Sequence, residues 1–145
     1  DSWGGMLAPA MFEEFSQRYL AQIAELLRND PHARDVSLIL FSKGANAGLE
    51  VLADTGCAAL GVDWTITLDA ARHRVGDRVA LQGNLDPAAL LASPEVIRRE
   101  ARRVLDDFGP HPGHVFNLGH GITPDVDPDH VAVLVDAVHA HNHPS

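Results

Sequence analysis

Between Ala10 and about Arg28, apolar residues return every three or four positions: Phe12, Phe15, Tyr19, Ile23 and Leu26. That spacing predicts one apolar stripe of a helix, with Glu13, Glu14, Gln17 and Arg28 left for solvent. Residues 36–41 (VSLILF) have no alternation, the pattern of a strand buried on both faces. Gly44 and Gly48 mark a loop, and LEVLAD opens a short helix that Gly56 closes. The alternation then repeats. Residues 58–62 (AALGV) predict a second buried strand, Leu68–Val75 a helix ended by Gly76, and residues 79–82 (VALQ) a third strand. Asp86-Pro87 and Ser93-Pro94 each read as an N-cap followed by proline at the first helical position. The second pair starts a longer helix whose apolar face is Ile97, Ala101, Val104, Leu105 and Phe108, with Gly109 at its end. His114–Leu118 (HVFNL) is the fourth strand. Asp127-Pro128 opens a last helix with Val131, Leu134, Val135 and Val138 facing inward, and the tail HNHPS reads as frayed.

Strand then helix, four times over, is the pattern of an α/β fold with a parallel sheet and right-handed crossovers. Four parallel βα units make half of a (β/α)8 TIM-type barrel. A doubly wound open sheet is the alternative, weakened because no G-x-G-x-x-G turn follows any strand. The chain opens at Asp1 on DSWGG, without a methionine, which reads as the end of a strand running into a loop. A fragment of a longer barrel is therefore expected.

Composition narrows the function. With 145 residues and 46% hydrophobic content, one packed domain is expected. No apolar run approaches bilayer length and no leader is visible, so a soluble cytoplasmic protein with no membrane contact is expected. A formal charge of −9 argues against nucleic acid, whose phosphates need clustered cations. Lys43 is the one lysine, and Arg98, Arg99, Arg102 and Arg103 read as the solvated face of a helix. The single cysteine, Cys57, reads as a small buried residue beside a strand.

In parallel α/β folds the working residues gather where strands end. Those ends hold Asp1, Ser2 and Trp3; Ser42 and Lys43; Asp63 and Trp64; Gln82 and Asn84; Asn117 and His120. Each has a plainer reading. Asp63 and Asn84 can bond loop backbone, Lys43 can pair with a nearby carboxylate, and the tryptophans can cap the barrel mouth. His120, between two glycines in GHG, is the residue most suited to face a cavity. No metal site is expected. His139, His141 and His143 alternate along a fraying end with no acidic or thiol partner spaced with them. Asp125, Asp127 and Asp129 lack the glycine and glutamate of a calcium loop.

The segments DSWGG, FSKG with LEVLADTG, GVDWT, LQGNLDP and FNLGHGITPDVDP, in that order, resemble the uroporphyrinogen decarboxylase family. The resemblance covers essentially the whole chain and implies the C-terminal half of a single (β/α)8 barrel domain, residues 1–145, with the N-terminal half absent. It implies a lyase of porphyrin and haem biosynthesis. Uroporphyrinogen III loses carbon dioxide from its four acetate arms to give coproporphyrinogen III, with no metal and no organic cofactor. Two substrate-binding positions of the family fall here, on Ser2 and His120. The family's catalytic residues, an arginine-rich loop, a central aspartate and a pocket tyrosine, belong to the N-terminal half. By that comparison this half alone is inactive, and it is expected to self-associate or to belong to a homodimer. Two alternatives stand beside it. One is an inactive orphan half barrel that binds tetrapyrroles or partners. The other is a related corrinoid methyltransferase, disfavoured because its zinc needs thiolate ligands that a single cysteine does not supply.

Overall fold

The computed structural model describes residues 1–141. Three consecutive helical stretches, Pro9–Phe12, a π-helical turn at Glu13–Gln17 and Arg18–Asn29, form one long helix, α1. The units that follow are β1 (Ile39–Phe41), α2 (Leu49–Ala53), β2 (Ala59–Gly61), α3 (Leu68–Val75), β3 (Ala80–Leu85), α4 (Pro94–Phe108), β4 (His114–Leu118) and α5 (Pro128–His141). The strands form one parallel sheet in the order β1-β2-β3-β4.

That order decides between the two architectures. A doubly wound sheet reverses direction part-way, sending helices to both faces. Here every crossover steps the same way, so right-handed connections put the helices on one face, as in a barrel wall. The fold is a partial (β/α)8 barrel. The ladder continues one residue past β1: the Asp1 amino group donates to the Phe41 carbonyl at 2.8 Å, and Lys43 N–H donates to the Asp1 carbonyl at 2.9 Å.

The core lies between sheet and helices. Leu40, Leu60 and Leu81 share one register row and are almost fully buried. With them cluster Leu68, Ala71 and Val75 of α3 and Ile97, Ala101, Val104 and Phe108 of α4. Both helices end where glycine ends them in the sequence. Gly76 and Gly109 take positive φ, and their N–H groups donate to Arg72 and Leu105 carbonyls. Cys57 is buried beside β2, and Arg98, Arg99, Arg102 and Arg103 are exposed.

Three expectations need correction. First, β1 is shorter than residues 36–41: Val36 is 70% exposed and Ile39 43% exposed, because the concave side of this edge strand carries no covering element. Second, β3 runs on to Leu85 rather than stopping at Gln82, since Asn84 and Leu85 still pair with β4. Third, α1 does not bury the stripe its spacing predicts. Phe12 is buried, but Phe15, Tyr19, Ile23 and Leu26 are roughly half exposed or more; Ser16 and Ala24 turn inward instead. The π-helical turn, with more residues per turn, shifts which side chains of the helix share its inner face. In α5, likewise, Leu134 is buried while Val135 is exposed. No helix among the described residues is long and apolar enough to cross a membrane.

Candidate functional site

On the concave side, Phe41, Gly61, Gln82 and Val115 occupy one register row. Parallel strands alternate their side chains, so this row faces away from the helices. The first three of these residues form the floor of a cavity of about 830 Å³. Its rim holds Ser2 from the first loop and Asn117 and His120 from the end of β4, and α5 closes one side with Val131, Val135 and Val138. The two residues singled out in the sequence, Ser2 and His120, thus line one concavity.

The way His120 reaches that place is legible in its neighbours. Gly119 is buried, and a side chain there would lie 2.9 Å from the Trp64 amide nitrogen and 3.0 Å from the Asp63 Cα. Only glycine lets the β4 loop lie this close to the β2 loop. The loop then carries the exposed His120 across the sheet until its ring centroid is 6.1 Å from that of Phe41 in β1. Gly121 meets no such constraint.

The remaining rim residues tie the loops together. Asp63, 2% exposed, accepts from Gly44 N–H at 2.5 Å, Asn46 Nδ2 at 2.9 Å, Thr65 N–H at 2.9 Å and the Thr65 hydroxyl at 2.5 Å. Burial pushes its carboxyl upward, but the hydrogen bonds from Thr65, Gly44 and Asn46 outweigh burial and hold it below the usual carboxylate range. Asn84 Nδ2 donates to the Asp63 carbonyl at 3.0 Å and the Ile66 carbonyl at 2.6 Å. The plainer reading, loop bonding, therefore describes both residues. Lys43 lies with Nζ 5.6 Å from the Trp64 ring centroid, a cation–π contact in place of the carboxylate pair considered for it. Trp3 is 70% exposed and is no lid.

His139 and His141 are exposed, and His139 lies at the edge of the cavity. His141 Nε2 is 3.7 Å from Asp106. His143 lies outside the described residues. Among the described residues no group of three or more His, Cys, Asp or Glu side chains is placed to hold a metal ion. Asp127 accepts from Asp129 N–H at 2.9 Å and so turns the chain into α5. His114, in β4, stacks on Phe108 at 4.5 Å and bonds the Gly83 carbonyl at 2.9 Å. Burial pushes its pKa down, with the Gly83 contact opposing in part. Sequence reasoning missed Phe41 and the α5 valines as cavity residues, because apolar side chains in a strand or on a helix stripe read as core.

Residues 1–141 match the family described as uroporphyrinogen decarboxylase (URO-D). The chain belongs to the uroporphyrinogen decarboxylase family. It is 59% identical over 138 residues to uroporphyrinogen decarboxylase of Alcanivorax borkumensis, covering 95% of this chain and 39% of that protein. To the enzyme of the same name from Thioalkalivibrio sulfidiphilus it is 58% identical over 139 residues, 96% of this chain and 40% of that one. The chain thus spans about two fifths of the length of these curated decarboxylase relatives. A methyltransferase from Methanosarcina mazei superposes with a TM-score of 0.80 at 23% identity, over 99% of this chain and 41% of that structure. At that identity the likeness to the methyltransferase concerns the fold alone.

Proposed function

We propose that this chain is the C-terminal portion of a uroporphyrinogen decarboxylase, in which Ser2 and His120 bind carboxylates of uroporphyrinogen III. The observation that carries this reading is the meeting of Ser2 and His120 on one cavity, in a chain of that family. The Ser2 hydroxyl donates a hydrogen bond to one carboxylate. His120 pairs with another or takes part in proton traffic. Between them, Phe41 and the α5 valines give an apolar surface against which pyrrole rings rest.

Decarboxylation proceeds by protonation of the ring carbon that bears the acetate arm. The cationic ring accepts the electron pair released as the carboxylate leaves as carbon dioxide. The exocyclic carbon then takes up a proton to become a methyl group and the ring carbon gives its added proton back, so no cofactor is required. A protein for this reaction holds a polyanion and stabilises a ring cation. At a formal charge of −9 this chain repels a polycarboxylate unless cations come from elsewhere. In this reading they come from the remaining portion of a family chain, and this portion alone is inactive. The open strands β1 and β4 and the exposed stripe of α1 favour association, with a second copy or with that portion.

The test is coproporphyrinogen production from uroporphyrinogen by the chain alone and mixed with the N-terminal portion of a family relative. Turnover only in the mixture, lowered by His120→Ala, is expected. Turnover by the chain alone overturns the division of labour and moves the chemistry to rim residues such as Lys43 and Asp63. Tetrapyrrole binding without turnover in any mixture supports the orphan half-barrel reading instead.

A further inference from the structure

We infer that Asp63 is a positioning residue whose carboxylate fixes the loop that carries Ser2 relative to the loop that carries His120. The chain of contacts runs outward from Asp63 in both directions. Toward Ser2, its Oδ2 accepts from Gly44 N–H at 2.5 Å. Gly44 abuts Gly5 so closely that a side chain on Gly5 would collide with the Gly44 backbone. Gly5 N–H donates to the Lys43 carbonyl, and Lys43 N–H to the Asp1 carbonyl, each at 2.9 Å. Ser2 lies between these two fastened points. The Asp1 carboxylate adds a further clamp, accepting from Trp3 N–H at 2.9 Å and the Ser16 hydroxyl at 2.6 Å.

Toward His120, the Asp63 backbone is the surface against which Gly119 rests, 3.0 Å from where a Gly119 side chain would begin. Asn84 holds the Asp63 carbonyl from below at 3.0 Å, and Gly119 N–H donates to the Leu85 carbonyl at 2.7 Å. A buried carboxylate with its oxygens shared among donors from two loops fixes a spacing, because moving either loop leaves a buried charge unsatisfied. Its consequence for turnover rests on the proposed roles of Ser2 and His120. The mechanical coupling itself does not.

Trp3 and Trp64 are the chain's two tryptophans, one beside Ser2 and one against Gly119. Fluorotryptophan labelling therefore gives one fluorine NMR resonance in the loop that carries Ser2 and one in the β2 loop, where it rests against the loop that carries His120. In Asp63→Asn an amide nitrogen replaces one acceptor, so Gly44 and Thr65 can no longer both be served. Both resonances are expected to shift or broaden while the far-ultraviolet circular dichroism is retained. Asp54→Asn removes the same charge from an exposed ion pair with Arg78 and is expected to move neither. An unmoved Trp3 resonance in Asp63→Asn overturns the coupling. Should that variant fail to fold, Asn46→Ala removes a donor to Asp63 and carries the same expectation and the same overturning result. In the active mixture with an N-terminal portion, Asp63→Asn is expected to raise KM for uroporphyrinogen about tenfold or more, the scale of misplaced binding groups. An unchanged KM overturns the functional consequence. If the wild-type mixture is inactive, the proposed function fails and the fluorine spectra still decide the coupling.

Discussion

Helices α1 and α4 carry equally regular apolar stripes in sequence and end in opposite situations. In α4, Ile97, Ala101, Val104 and Phe108 are all within a few per cent of complete burial. The helix is fastened at its end as well: the Asp107 carboxylate accepts from Leu68 N–H at 2.7 Å, and the Arg72 guanidinium lies 5.2 Å from the Phe108 ring centroid. Helix α1 is held by Phe12, Ser16 and Ala24, while Phe15, Tyr19, Ile23 and Leu26 remain on the outside. An apolar stripe marks a helix face suited to being covered. It does not say by which element. Helix α4 meets its cover inside this chain, between β3 and α5, whereas α1 stands at the open end of the sheet.

The contrast can be attacked by substitution. Phe108→Ala should cost about 3–5 kcal/mol in urea unfolding, the range for deleting a buried aromatic side chain; a loss below about 1 kcal/mol would break the claim that α4 is the core helix. Ser16→Ala should cost about 1–2 kcal/mol, since it removes a charge-assisted hydrogen bond to Asp1 on the buried side of α1. His114 sharpens the comparison through pH. Its pKa is depressed by burial against Phe108, so the neutral form is favoured in the folded chain. The stability it contributes is present above its ordinary pKa of 6.5 and is lost as pH falls through the folded value. One such proton gives a slope of at most ~1.4 kcal/mol per pH unit. Denaturation midpoints measured between pH 8 and pH 5 should fall less steeply in His114→Phe than in the parent. Smallest of all, Ile23→Ala should change stability by no more than about 0.5 kcal/mol, as at an exposed position. A loss near that of a core isoleucine would mean that α1 is covered in solution, and sedimentation would then show association.

How much of this was readable in advance depends on where the information lies. Helices α3 and α4 and strand β4 were legible to within a residue, because caps, glycine stops and period agree locally. The burial of α1 was not, since a π-helical turn and an uncovered end are properties of the tertiary arrangement. At the site, Ser2 and His120 stood out as polar residues at strand ends. Their shared cavity was not legible, because it depends on a loop crossing from β4 to Phe41 over a buried glycine. The bonds of Asp63 belong to the same class: the residue was visible, its four donors were not.

The in-order sheet also has a consequence for how the chain comes apart. Each βα unit touches mainly the unit before and the unit after, as the strand pairings show. Such a stack behaves as a short linear array in which end units have one supporting neighbour and inner units have two. Opening therefore begins at an end unit, of which α1 with β1 is one, and travels inward. Amide protons of β1 should exchange with solvent before those of β2 and β3, so the wall that carries Phe41 loosens before its centre does.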